Sequence, residues 1–117
     1  MKINLLKILA TAALIISAAA GTATAEIKIG VLVPDSGPAG LFGPSTRNSA
    51  TLAAMKINAA GGINGEKIKL VFADVGVPPA EASQAALRLW KGEGVKAFVG
   101  MHDSAVREAL VGRFKGQ

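Results

Sequence analysis

The 117-residue sequence has no cysteine, one histidine and one tryptophan. Without cysteine there is no disulfide, no thiol chemistry and no lipoprotein anchor. With a single histidine as well, the usual nitrogen and sulfur ligands of a dedicated metal site are missing. No lysine lies between Lys28 and Lys56, so the first glycine-rich loop lacks the lysine that a P-loop requires. Basic residues never form a run and are not interleaved with aromatics, which argues against a nucleic-acid surface. The longest apolar stretch, Ile8 to Ala20, is interrupted only by Thr11 and Ser17. Its length of about 13 residues falls short of the roughly 20 that span a bilayer as a helix.

That stretch has another use. Lys2 and Lys7 lie at its start, and Ala23-Thr24-Ala25 follows it. A positive segment, an apolar segment and an A-x-A site in that order form a secretory signal peptide. The expectation is cleavage after Ala25 and a periplasmic product. Residues 1–25 are then the signal and 26–117 the mature chain. An uncleaved anchor and cleavage after Ala20 or Ala23 are the alternatives. Removing Lys2 and Lys7 from 13 basic residues leaves 11 against 8 acidic ones, a mild +3. A mature chain of this size holds at most one domain, and a marginal one.

Beyond the signal, apolar runs alternate with helical stripes. Ile27 to Val33 (IKIGVLV) is rich in β-branched residues and ends at Pro34, as in a strand buried on both faces. Pro44 suits the first turn of a helix. Ala50, Ala53, Ala54 and Ile57 follow at helical spacing and predict its inner face. Gly61-Gly62 stops that helix. Asn64-Gly65 predicts a tight turn, with too little chain before it for a long hairpin. Lys67 to Ala73 predicts a second strand. Pro79 opens a second helix whose stripe is Ala82, Ala85, Ala86 and Leu89, closed by Gly92 and Gly94. Val95 to Gly100 predicts a third strand. After a short loop, Ser104 is expected to cap a third helix with its hydroxyl, whose inner face holds Val106, Ala109 and Leu110. The order β-α-β-α-β-α is an α/β layered architecture with right-handed parallel crossovers. The chain stops at Lys115-Gly116-Gln117, where a further strand is expected, so the sequence reads as part of a larger domain.

Three local patterns carry possible chemistry. The loop after the first strand, GVLVPDSGPAGLFGPS, spaces glycines 37, 40 and 43 as G-x-x-G-x-x-G. A dinucleotide fingerprint needs G-x-G-x-x-G, so Asp74 at the end of the second strand has no such partner motif. The same loop carries Ser36 and Phe42, and an aromatic there can wall a ligand. His102-Asp103-Ser104 is not a catalytic triad, because three consecutive residues diverge and no G-x-S-x-G elbow surrounds Ser104. His102 is expected on the surface or at a pocket rim, and Trp90 in packing. Ser104 at a helix start offers a hydroxyl beside free N–H groups that favour an anion. Asp103 opposes an anion there; it can instead cap the helix or face a cationic or amide group.

Taken together, the signal peptide, IKIGVLVPDSGPAGLFG, RNSATLAAMKINAAGGINGEKIKLVFAD and GVKAFVGMHDS resemble the substrate-binding proteins of branched-chain amino-acid ABC transporters, a group of type I periplasmic binding proteins. The resemblance runs from Ile27 to Arg113, and Asn58 to Gly65 is its most specific segment. It implies two α/β lobes joined by a hinge, with ligand in the cleft. Residues 26–117 would form the N-terminal part of the first lobe, with strand order 2-1-3. It implies a binding protein rather than an enzyme, with no cofactor, that is monomeric at full length and delivers a small-molecule ligand to a membrane permease. The implied ligand is a branched-chain or other small amino acid; urea and short-chain amides are the alternative within the group. A sensory ectodomain is the alternative of another class. Phe42 matches the aromatic that packs on ligand. Ser104 matches a serine that, with a neighbouring N–H, holds the ligand carboxylate, and Ala105 lies beside it. Gly76 and Asp103 stand where some members carry a disulfide. Asp103 shifts weight toward an amide or urea.

Overall fold

The computed structural model describes residues 25–115. The expected signal peptide therefore lies outside the described residues, Ala25 apart. The described elements are β1 (Glu26–Val33), a single 3-10 turn (Gly40–Phe42), α1 (Gly43–Ala59), β2 (Lys67–Asp74), α2 (Pro79–Lys91), β3 (Ala97–Gly100) and α3 (Ser104–Phe114).

The three strands form one parallel sheet in the order β2-β1-β3, the order that the resemblance implied. β1 is central. It pairs with β2 from Glu26↔Lys67 to Val33↔Asp74 and with β3 from Ile29↔Ala97 to Leu32↔Gly100. Its last four residues are buried, as a continuous apolar run in a parallel sheet requires. Successive side chains point to opposite faces. Leu32 enters a core with Val75, Ala82, Ala86, Leu89, Val95, Val106 and Leu110, supplied mainly by α2 and α3. Val31 and Val33 are equally buried but lie outside that cluster, on the face that α1 covers. Trp90 packs edge-on against Phe114, with ring centroids 5.2 Å apart.

The structure alters several sequence expectations. Of the stripe expected on α1, Ala54 is buried and Ala50 half-buried, whereas Ala53 and Ile57 are exposed. The inner line is Gly43, Arg47, Ala50, Ala54 and Asn58, still at helical spacing. Two of its members are polar because each has a partner there. Arg47 pairs with Asp35. The Asn58 carboxamide accepts from Ile68 N–H at 2.7 Å and donates to Ile68 C=O at 2.8 Å. β3 begins at Ala97 rather than Val95, because Val95 turns into the core. Asn64-Gly65 does form a tight turn: both residues have positive φ (51° and 85°), and Ile63 and Glu66 exchange backbone hydrogen bonds. That is the geometry of a two-residue primed turn.

Ser104 is not the cap of α3. The cap is Asp103, which has extended backbone angles and accepts from the N–H groups of Ala105 and Val106. Aspartate and serine both cap well; here the break from extended to helical backbone falls at residue 103, which leaves Ser104 as the first helical residue.

Candidate ligand-facing loops

All three strands end on the same side of the sheet, so the loops that follow them cluster. These are Pro34 to Phe42 after β1, Val75 to Pro78 after β2, and Met101 to Asp103 after β3. Ligands of open α/β sheets bind outside the carboxyl ends of the strands, where the strand order reverses. In this sheet that point lies between β1 and β3.

The β1 loop is held from both ends. At its start, Asp74 Oδ1 accepts from the N–H groups of Asp35 (3.0 Å) and Ser36 (3.3 Å), and also from Gly76 N–H (2.8 Å). Partial burial acts to raise the Asp74 pKa, but hydrogen bonds from the Ser36 side chain and from the Gly76, Asp35 and Ser36 amides outweigh it and hold the carboxyl below its usual range. The Asp35 side chain takes a two-pronged contact from Arg47, with Nε donating to Oδ1 at 2.9 Å and Nη2 to Oδ2. Arg47 also lies over the Phe72 ring, 4.7 Å from its centroid. At the far end of the loop, the hydroxyls of Ser45 and Thr46 both donate to Phe42 C=O, at 3.0 and 2.9 Å.

The glycines of the loop have a packing role. A Cβ on Gly37, where φ is +66°, would lie 2.3 Å from Gly76 O, and one on Gly76 would lie 2.0 Å from Ser36 O. The two loops therefore meet backbone to backbone, which only glycine permits.

The Phe42 ring reaches across to His102, with centroids 4.7 Å apart and planes tilted by 34°. This contact joins the loops after β1 and β3, and His102 is exposed, as expected. Met101, next to it, has a positive φ of 65°, a conformation that a non-glycine side chain adopts at a cost. An open hollow of about 360 Å³ lies between Pro34, Pro38 and Ala39, the segment Val75 to Pro78, and His102 and Asp103. A shallower one of about 240 Å³ lies against Leu32, Thr46, Met101 and His102. His102 borders both.

The structure thus brings Phe42 to within ring contact of the segment that carries Asp103, Ser104 and Ala105. It places Ser36 elsewhere, against Asp74 and Gly76. The Ala105 N–H is taken by Asp103 Oδ1 at 2.7 Å. The exposed Ser104 hydroxyl has no hydrogen-bond partner among the described residues. No group of side chains that could hold a metal ion occurs among the described residues. Sequence reasoning missed the Arg47–Asp35 pair and the loop-gathering role of Asp74. The helical spacing of Arg47 with Gly43 and Ala54 was the available signal for the first.

A family model described as periplasmic binding protein matches residues 26–117. The chain belongs to the periplasmic binding protein family. Among curated members of the family, it is 42% identical over 106 residues to a Leu/Ile/Val-binding protein homolog of Brucella melitensis, covering 91% of this chain and 28% of that protein. Among solved structures it is similar to LivJ of Streptococcus pneumoniae, a branched-chain amino acid transporter substrate-binding protein in complex with isoleucine. That match has a TM-score of 0.68 and 37% identity, over 74% of this chain and 25% of that one. A solute-binding protein of R. palustris in complex with benzoate is also similar, with a TM-score of 0.64 and 25% identity over 75% of this chain and 24% of that one. The chain spans about a quarter of the length of these family members.

Proposed function

We propose that this family member is the exported solute-binding component of an ABC transporter, and that residues 26–117 supply the first-lobe wall of its ligand cleft. The observation that carries the reading is the Phe42–His102 contact, which joins the loops after β1 and β3 at the point where the strand order reverses. Binding, not bond chemistry, is the activity. The ligand lies against Phe42, and Ser104 donates its hydroxyl and its own N–H to a carboxylate. The Ala105 N–H is already engaged by Asp103, so Ser104 carries the anion contact without it. A second lobe closes over the bound ligand by a hinge motion biased by contacts to both lobes, and the membrane permease reads the closed form. The ligand is a branched-chain or other small amino acid.

Asp103 supports a second reading. Its exposed carboxylate has no ion-pair partner among the described residues, and it would welcome the N–H groups of urea or a short amide. The test is a thermal-shift series with leucine, isoleucine, valine, urea and acetamide on the protein recovered from the periplasm. Stabilisation by the amino acids supports the first reading, and stabilisation by urea or acetamide alone the second. No response to any of them contradicts both. N-terminal sequencing of the same material should begin at Glu26.

A further inference from the structure

We propose that Asp74 is a positioning residue for the ligand wall: its carboxylate ties the loops after β1 and β2 into one unit and so delivers Phe42 to His102. The ladder between β1 and β2 already ends at Val33↔Asp74, and Val75 N–H continues it to Val33 C=O at 2.8 Å. The sheet therefore has its backbone partners without this side chain. All three N–H groups on Asp74 Oδ1 belong to loop residues, namely Asp35, Ser36 and Gly76. Charge-assisted bonds from several amides to one carboxylate are strong and directional. Asp35, the first residue so held, is also clamped by Arg47 of α1, and α1 receives the far end of the loop through Ser45 and Thr46. Fixed at both ends, the loop has little freedom to withdraw Phe42. Pre-organisation of this kind lowers the ordering cost of binding. Asp74 itself does not border the hollow beside His102.

The functional meaning of this inference rests on the reading of Phe42 as ligand wall, but its main test needs no ligand. Asp74→Ala and Asp74→Asn are compared with the unaltered protein by amide hydrogen exchange and by the nuclear Overhauser contact between the Phe42 and His102 rings. In Asp74→Ala the amides of Ser36 and Gly76 should exchange about tenfold faster or more, and the Asp35 amide, which also donates to Val33 C=O at 3.0 Å, by less. The amides of Val31 and Leu32 should keep their protection, and the ring contact should be lost. Asp74→Asn retains an accepting oxygen and should restore part of both. An Asp74→Ala protein that keeps the ring contact and the three protected amides overturns the proposal. So does a protection loss spread evenly over β1 and the loops, since that marks general stability rather than positioning. If Asp74→Ala does not fold, Asp74→Asn decides alone: selective weakening at the three amides and the ring contact supports the proposal, and unchanged or uniform behaviour overturns it. A titration with isoleucine separates the two readings. Failure of the unaltered protein to bind it counts against the amino-acid reading and leaves the exchange result standing.

Discussion

Asp103 Oδ1 accepts the Ala105 N–H at 2.7 Å and the Val106 N–H at 3.3 Å, so the carboxylate beside Ser104 closes the first turn of its helix. The residue that completes the helix is therefore not Ser104, the residue proposed to meet a ligand carboxylate. Asp103→Ala should cost about 1 kcal/mol of stability, and Asp103→Asn much less, because the carboxamide oxygen can still cap. Ser104→Ala should change stability by less than about 0.5 kcal/mol while weakening any carboxylate ligand. Urea unfolding midpoints, read beside a ligand titration, separate the two roles. Equal destabilisation by Asp103→Ala and Ser104→Ala would contradict the assignment.

Acid should act through Asp74. Its folded pKa is lowered, so the group contributes stability that is fully present above its unfolded value of about 3.9 and is lost as pH falls through the folded value. Arg47 has a raised pKa, because its hydrogen bond to the Asp35 carboxylate outweighs burial, so its own loss of a proton falls in the alkaline limb and not between about pH 6 and about pH 2. Urea midpoints followed from about pH 6 to about pH 2 should fall less steeply for Asp74→Asn than for the unaltered protein. Parallel curves would show that Asp74 is not the titrating group.

Glycine substitutions should differ in sign. Gly112 lies within α3, has no positive φ, and a Cβ there would meet nothing within 4 Å. Gly112→Ala should stabilise by about 0.5–1 kcal/mol. Gly37→Ala forces a left-handed backbone onto alanine and drives its Cβ into the Gly76 carbonyl, and should destabilise by more than about 1 kcal/mol. Thermal midpoints of the two variants should move in opposite directions.

The outer edge of β3 has no strand beside it among the described residues. Next to it, Phe98, Met101, Leu110, Val111 and Phe114 line an apolar hollow, and Val99 is 46% exposed. Unpaired edges of this kind invite pairing with another chain. A polypeptide of residues 26–117 alone should self-associate in sedimentation velocity, and Val99→Lys should reduce the effect. A soluble monomer that unfolds cooperatively would contradict this expectation.

Much of the fold was legible because its signals are local. β1 announces itself by β-branched residues ending at a proline, and α2 by Ala82, Ala86 and Leu89 at helical spacing, all three of which are buried. The inner face of α1 was harder to read. Arg47 and Asn58 lie on it, and polar residues on an inner face break the hydrophobic stripe that sequence reading relies on. Their partners, Asp35 and Ile68, come from outside the helix. The cap of α3 was ambiguous for another reason: Asp103 and Ser104 are adjacent and both capable, and only the backbone angles choose between them.

The order of strands and helices, and the positions of the turns that separate them, can be read along the sequence. These follow from periodicity, from proline and from glycine, which act within a few residues of chain. Its resemblance to periplasmic binding proteins also pointed to Phe42 and Ser104. That Asp74 gathers the amides of Asp35 and Ser36 from the loop after the neighbouring strand, and that Phe42 meets His102, emerges only in three dimensions. Those contacts join residues far apart in the chain, and no local pattern records them. They arise because parallel pairing brings every strand's carboxyl end to one side, where hydrogen bonding and glycine packing set which loops touch.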